Sequence, residues 1–269
     1  MGYGNDFTLT LFTNDPGLAA RADAAGVDRI GPDLEIIGKQ RRQGHLNTRI
    51  SAHSLDDIAA IRPRLTRAKL FVRTNPIHPG SADEIERVLD AGAEVVMLPM
   101  FTTPEEVAIF LRLVRGRART VPLLETARAA ACVDEIIAQG GFDELHIGLN
   151  DLYLSSGFRN HFEVMCSGLL ESVCAKLRAA GIRFSLAGIG RAGDAHLPVP
   201  SDMVYPQYPR LGATGAIVSR VFFTSPVELD LAHEVAKARA RLDHFAALPP
   251  TVLAAARAEL SETIANRTG

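Results

Sequence analysis

The chain has 269 residues, 47% of them hydrophobic, enough to bury a large core, with a formal net charge of −2 and no basic arm or basic–aromatic stripe, which excludes a nucleic-acid or membrane-surface role. Its three cysteines, Cys132, Cys166 and Cys174, lie in stretches read as helix and show neither a disulfide framework nor zinc spacing. No leader pattern opens the chain and no apolar run approaches the ~18 residues of a membrane span, so a cytoplasmic protein is expected.

In chain order, Phe7–Phe12 alternates and reads as the first strand. Asn14-Asp15-Pro16 starts a helix that stops at Gly26. Val27–Ile30 is the second strand, ending at Gly31-Pro32-Asp33-Leu34-Glu35. A long polar segment from Ile36 to His53 follows, either a functional loop or one with short structure of its own. Ser54-Leu55-Asp56-Asp57 resembles a capping box. Lys69–Arg73 is strand three, and Ser81 starts a helix that stops at Gly92. Val95–Pro99 is strand four, and Thr103-Pro104-Glu105-Glu106 begins the next helix. Val121–Leu124 is strand five, with helix to Gln139, and Glu144–Ile147 is strand six. A helix is expected from about His161 to Ala180, strand seven at Arg183–Ala187, a short helix at Pro200–Leu211 and strand eight at Ala216–Ser219. Ala-rich helices follow at Pro226–Ala246 and Thr251–Ile264. Eight strand–helix units imply a parallel sheet, closed as a (β/α)8 barrel in preference to an open doubly wound sheet. The division expected is a barrel over residues 1–225 and a C-terminal helical extension over 226–269, packed on the barrel or on a neighbouring subunit.

Chemistry in such a barrel sits past the C-terminal ends of the strands. Glu125 directly follows strand five and Asp151 lies just past strand six, about one unit apart. Ionised carboxylates suit Mg²⁺ or Mn²⁺, with Co²⁺ a further option, and two protein ligands leave positions for substrate and water. The alternative is that Glu125 complements a helix N-terminus and Asp151 caps a turn. Arg73 ends strand three, where it either grips a carboxylate and stabilises an enolate or pairs with Asp33 or Glu35. Asp33 and Glu35 hold metal-bound water, orient Arg73, or are ordinary loop acids. His45 and His53, on the long segment, are candidate proton carriers.

Gly188-Ile189-Gly190-Arg191-Ala192-Gly193 matches G-x-G-x-x-G but follows strand seven, so it is read as a turn whose amides approach an anion and not as a dinucleotide fingerprint. Gly148, Asn150, Ser185 and Gly188 are the candidate substrate contacts beside Arg73. None of the four lysines, Lys39, Lys69, Lys176 and Lys237, is expected at a buried strand end, which argues against imine catalysis.

Asp33-Leu34-Glu35, Val72-Arg73-Thr74-Asn75-Pro76, Leu124-Glu125-Thr126-Ala127 and Gly148-Leu149-Asn150-Asp151-Leu152 resemble, in order and on the expected strands, the motifs of the HpcH/HpaI aldolase and citrate lyase β-subunit family. The resemblance spans roughly residues 8–225. It implies a phosphoenolpyruvate/pyruvate-type TIM barrel, often a hexamer or trimer built through exchanged C-terminal helices. By the same resemblance Glu125 and Asp151 bind the metal, and Arg73 binds the keto-acid carboxylate. Ile36 stands where HpaI-type members carry histidine and citrate-lyase-like members aspartate; Leu123 stands where HpaI-type members carry glutamine. The activity expected is a metal-dependent class II aldolase that joins or cleaves a 2-keto acid, such as pyruvate or oxaloacetate, and an aldehyde. The alternatives are a lyase acting on acyl thioesters, with Arg41, Arg42 and Arg49 lining a nucleotide channel, and a non-catalytic keto-acid-binding barrel.

Overall fold

Short apolar runs between turn signals become parallel strands: β1 (Thr8–Phe12), β2 (Arg29–Gly31), β3 (Lys69–Arg73), β4 (Val95–Leu98), β5 (Arg119–Leu124), β6 (Leu145–Ile147), β7 (Phe184–Leu186), β8 (Gly188–Ile189) and β9 (Gly215–Val218). The structure, a computed structural model, describes residues 2–39, 53–223 and 229–267. The strands form one sheet in the order β7-β6-β5-β4-β3-β2-β1-β9-β8. β7 and β8 are two halves of one stave. Ala187 between them sits at φ 52°, an unusual conformation for a residue with a Cβ. Its N–H donates to the Ile147 carbonyl on β6, and its carbonyl accepts from Ile217 on β9. β7 therefore pairs with β6 and β8 with β9, which closes the row into a (β/α)8 barrel.

Helix starts follow the local chemistry. The Asp15 carboxylate accepts from the Gly17 and Leu18 amides ahead of the helix Pro16–Ala25, and Gly26 ends it at φ 89°. Thr103 and Glu106 form a capping box for Pro104–Val114, as Ser54 and Asp57 do for Leu55–Ile61. Three expected helices are each broken in two. The one after β5 divides at Cys132 into Ala127–Ala131 and Val133–Gln139. The next divides into His161–Met165 and Gly168–Ala179, because Ser167 caps the second half through the Leu170 amide. The third divides at Pro206 into Ser201–Val204 and Gln207–Leu211. Cys132 and Cys166 fall at helix ends and not inside helices; only Cys174 is within one. A short helix, Tyr3–Asp6, has no clear sequence signal.

The barrel interior is filled by Phe71, Val95, Met97, Val121 and Leu123, with Phe12 against them. A separate, larger core lies between the staves and the helices. β2 runs so close to β3 that a Cβ on Gly31 would lie 1.8 Å from the Phe71 carbonyl oxygen, so only glycine fits there. The helix Leu231–Ala246 holds the N-terminus through Arg239, which donates to the Gly4 and Phe7 carbonyls. The helix Pro250–Arg267 rests on His161–Met165, Ser201–Val204 and Gln207–Leu211. Among the described residues no helix is long and apolar enough to cross a membrane.

Candidate active site

β2 and β3 end side by side, with an isolated bridge joining Asp33 to Arg73. The Arg73 guanidinium grips the Asp33 carboxylate in a fork, Nε to Oδ1 at 2.8 Å and Nη2 to Oδ2 at 2.7 Å. Nη2 also lies 3.2 Å from Glu35 Oε2, and the guanidinium sits over the Phe12 ring at 4.9 Å. Nη1 has no protein partner among the described residues. Asp33, Glu35 and Lys39 are all buried. Lys39 Nζ reaches Asp33 Oδ2 at 2.6 Å and Glu35 Oε2 at 3.5 Å. Burial alone would raise the Asp33 pKa, but the charge and hydrogen bonds of Arg73, and then of Lys39, outweigh it and hold the carboxyl below its ordinary range. Burial likewise opposes the Arg73 charge, and Asp33 and Glu35 more than compensate.

Glu125 and Asp151 are buried beyond the ends of β5 and β6. Glu125 Oε1 accepts from the Met100 amide at 3.0 Å, and Met100 holds a left-handed φ of 56°. Gly148 admits the Glu125 side chain: a Cβ there would lie 3.1 Å from Glu125 Oε2 and 3.0 Å from Leu123. Asp151 sits in the first turn of the helix Leu149–Ser156. Glu125 is not a helix cap; Thr126 takes that role for Ala127–Ala131. Burial first, then the negative charge of Glu35, push the Glu125 pKa well above its ordinary value; Arg73 opposes the rise and Asp151 adds to it. Glu125 is thus opposed by the carboxylates of Glu35 and Asp151, while Arg73 links it to Asp33 and Lys39.

That charge surplus at Glu125 and Asp151 is what a hard divalent cation relieves, and carboxylate oxygens are its preferred ligands. Among the described residues no group of three or more His, Cys, Asp or Glu side chains is arranged to hold a metal. A cation there would take its other ligands from substrate and water, as an open catalytic site requires.

The other expected residues are placed less uniformly. Ser185 lies inside the barrel, across from His146 in the β6–β7 register and 2.6 Å from its Nδ1. Burial, then the charges of Arg73 and Arg29, push the His146 pKa down to about 3, so the ring is neutral. Asn150 is exposed on the helix that carries Asp151. Gly188 is part of β8, and its carbonyl accepts from buried Tyr208; Tyr205 does the same for Gly190. The Gly193 amide is taken by Asp202, so this part of the glycine turn is closed by its own chain and does not offer that amide to an anion. His53 Nδ1 accepts from the Asp33 amide at 2.9 Å, which joins this histidine to the site. His45, Arg41, Arg42 and Arg49 lie outside the described residues.

Two participants escape the sequence reading. Lys39 is the first, and it corrects the lysine inventory: one lysine does lie buried at a strand end, though both acids beside it hold its ammonium. Its only sequence signal is the i, i+4 spacing from Glu35. Asn75 is the second. Its side-chain oxygen accepts from the Ile36 and Ile37 amides, while its own amide groups donate to Glu84. This clamp fixes the turn that carries Lys39 inward and leaves Ile36 exposed.

Residues 10–187 match the family model described as HpcH/HpaI aldolase/citrate lyase. No curated protein sequence matches the chain. Among solved structures, an HpcH/HpaI aldolase/citrate lyase family protein from Burkholderia cenocepacia aligns with a TM-score of 0.61 at 20% identity, covering 88% of this chain and 93% of that one. An HpcH/HpaI aldolase from Desulfitobacterium hafniense aligns at 0.61 with 17% identity, covering 91% and 95%. A citrate synthase variant aligns at 0.55 with 17% identity, covering 80% and 86%. At these identities the likeness speaks for the fold.

Proposed function

Because the chain belongs to the HpcH/HpaI aldolase/citrate lyase family, a family of lyases, we propose that it is a metal-dependent carbon–carbon lyase of the pyruvate-aldolase type. Its reaction would join a 2-keto acid such as pyruvate to an aldehyde, or cleave the corresponding 4-hydroxy-2-keto acid. The observation that carries the reading is the buried surplus of carboxylate at Glu125 and Asp151 beside Arg73. Glu125 and Asp151 would hold Mg²⁺, Mn²⁺ or Co²⁺. Bound there, the ion supplies Lewis acidity to the ketone of the keto acid.

The chain's own groups do the rest. Arg73 spends Nε and Nη2 on Asp33 and keeps Nη1 for a substrate carboxylate or the oxygen that becomes an enolate. Asp33 and Glu35 fix the plane of that guanidinium, and Lys39 balances their charge. Phe12, Phe71, Met97 and Leu123 form an apolar floor that keeps bulk water from below, which strengthens each electrostatic contact above it. His53 accepts at Nδ1, so its neutral ring carries the proton at Nε2, the atom from which a proton can be moved. His45 is the other candidate carrier. The acyl-thioester reading has no supporting observation among the described residues.

The test is to incubate metal-stripped and metal-reloaded protein with oxaloacetate, and separately with pyruvate and a panel of aldehydes, with mass detection. A metal-restored product with a new C–C bond supports the aldolase. Oxaloacetate decarboxylation alone reduces the proposal to an enolate-forming site. Full turnover by stripped protein contradicts the metal's role, and no reaction under any condition favours a keto-acid-binding barrel. A homo-oligomer, hexamer or trimer, belongs to the same proposal and is checked by light scattering.

A further inference from the structure

The opposite end of the barrel has an opening that this chemistry does not use. A cavity of about 630 Å³ lies at the N-terminal ends of the strands, walled in part by Gly26 and Val27. That volume falls within the ~300–1,000 Å³ of small-molecule sites. Arg29, Lys69 and Arg119 open β2, β3 and β5, while Arg183 and Arg67 come just before β7 and β3; all five line it. Two acids, Asp28 and Glu144, are among the lining residues with these five cations, a charge of +3 over the lining in a chain of net charge −2.

Both acids are already engaged. Glu144 forms a buried pair with Arg29. Asp28 accepts from the Leu9 amide at 2.7 Å and pairs with Arg239 at 2.9 Å. Lys69, on the cationic side, is paired with Glu94 at 2.7 Å. Arg67, Arg119 and Arg183 remain, and among the described residues none of their guanidiniums has a hydrogen bond or ion pair. Three unanswered guanidiniums around one concavity, mounted on strand ends, differ from an ordinary solvated face, where signs alternate. The guanidinium fork matches phosphate in bidentate fashion and remains charged at all relevant pH.

We propose that this N-terminal mouth binds a small phosphate-bearing polyanion through Arg67, Arg119 and Arg183. The ligand is not the aldolase substrate. Arg119 opens β5 and Glu125 follows its end, so the two mouths are about 20 Å apart at ~3.3 Å per residue. The shared chemistry is a diphosphate, free or carried by a nucleotide.

The experiment is calorimetric titration of inorganic pyrophosphate into the full-length, metal-free protein at ~50 mM salt, with ATP in a parallel arm. The site predicts saturable binding of one ligand per chain, weakened at least ~10-fold by Arg119→Ala/Arg183→Ala and unchanged by Glu125→Gln. Arg119→Lys/Arg183→Lys keeps the charge without the fork and should fall between wild type and the alanine pair, which separates lost recognition from lost folding. Tighter ATP binding assigns the nucleotide and equal affinities assign the diphosphate alone; both support the site. Absent or non-saturable binding overturns it. So does undiminished binding in the alanine pair, or loss of binding in Glu125→Gln, which would place the anion at the other mouth.

Discussion

Replacing Glu125 by glutamine removes one charge from the buried acids while keeping an oxygen for the Met100 amide. Without metal the change relieves repulsion, because burial, Glu35 and Asp151 all work against the Glu125 carboxylate. A carboxyl whose folded pKa lies above its unfolded value binds more protons when folded. Its contribution to stability is therefore present below the ordinary value of 4.5 and is lost as pH rises through the folded value. Metal-free Glu125→Gln should match or exceed wild type in Tm at neutral pH. Saturating Mn²⁺ should reverse the ranking. A ligand at a hundredfold its Kd stabilises the binding state by about 2.7 kcal/mol. At about 2–4 °C per kcal/mol, that raises the wild-type Tm by ~5–10 °C. The variant, with one carboxylate left, should gain less than ~2 °C. Scanning calorimetry with and without Mn²⁺ reads both effects. A variant that keeps the full Mn²⁺ shift, or that is more than ~1 kcal/mol less stable than wild type without metal, refutes the reasoning.

Arg73→Lys keeps the charge but cannot span both oxygens of Asp33 and still offer a donor. Turnover should fall by ~10²–10³ with the Mn²⁺ shift in Tm preserved; unchanged turnover, or loss of that shift, would show that Arg73 has another role. Lys39→Met leaves Asp33 and Glu35 with Arg73 alone, and denaturant titration should find a loss of about 3 kcal/mol, the lower end for breaking a buried pair. A loss within ~0.5 kcal/mol would mean that Arg73 suffices. His146 has a folded pKa of about 3, below its ordinary 6.5, so its contribution to stability is complete above 6.5 and is lost as pH falls toward 3. His146→Asn should flatten that acid limb by up to ~1.4 kcal/mol per pH unit. Just above 4.5 the Glu125 and His146 slopes oppose one another, so Glu125→Gln should steepen the same limb there in urea titrations. An unaltered limb in both variants would contradict these assignments.

The barrel was legible because apolar runs of strand length alternate with helices whose starts are written in single residues, as at Asp15-Pro16 and Thr103-Pro104. The break at Ala187 was not, since nothing between Phe184 and Gly188 marks where one stave changes neighbours. At the candidate site, Glu125, Asp151 and Arg73 are marked by position, each at or just past the end of an apolar run. The sequence offers the Arg73–Asp33 pair only as an alternative, and the structure has it. The burial of Lys39 is not legible in the sequence, for a physical reason. In a polar stretch a lysine reads as solvated, and its burial depends on Asn75, far along the chain, seizing the Ile36 and Ile37 amides. Ser185 is expected to contact substrate, whereas alternation along the strand turns it inward to His146.

Anomalous diffraction from a crystal equilibrated with Mn²⁺ tests the central claim most directly. We predict one strong peak per chain, bounded by the carboxylates of Glu125 and Asp151 and absent in Asp151→Asn. A wild-type map without density between those two side chains, or with its peak elsewhere, contradicts the account.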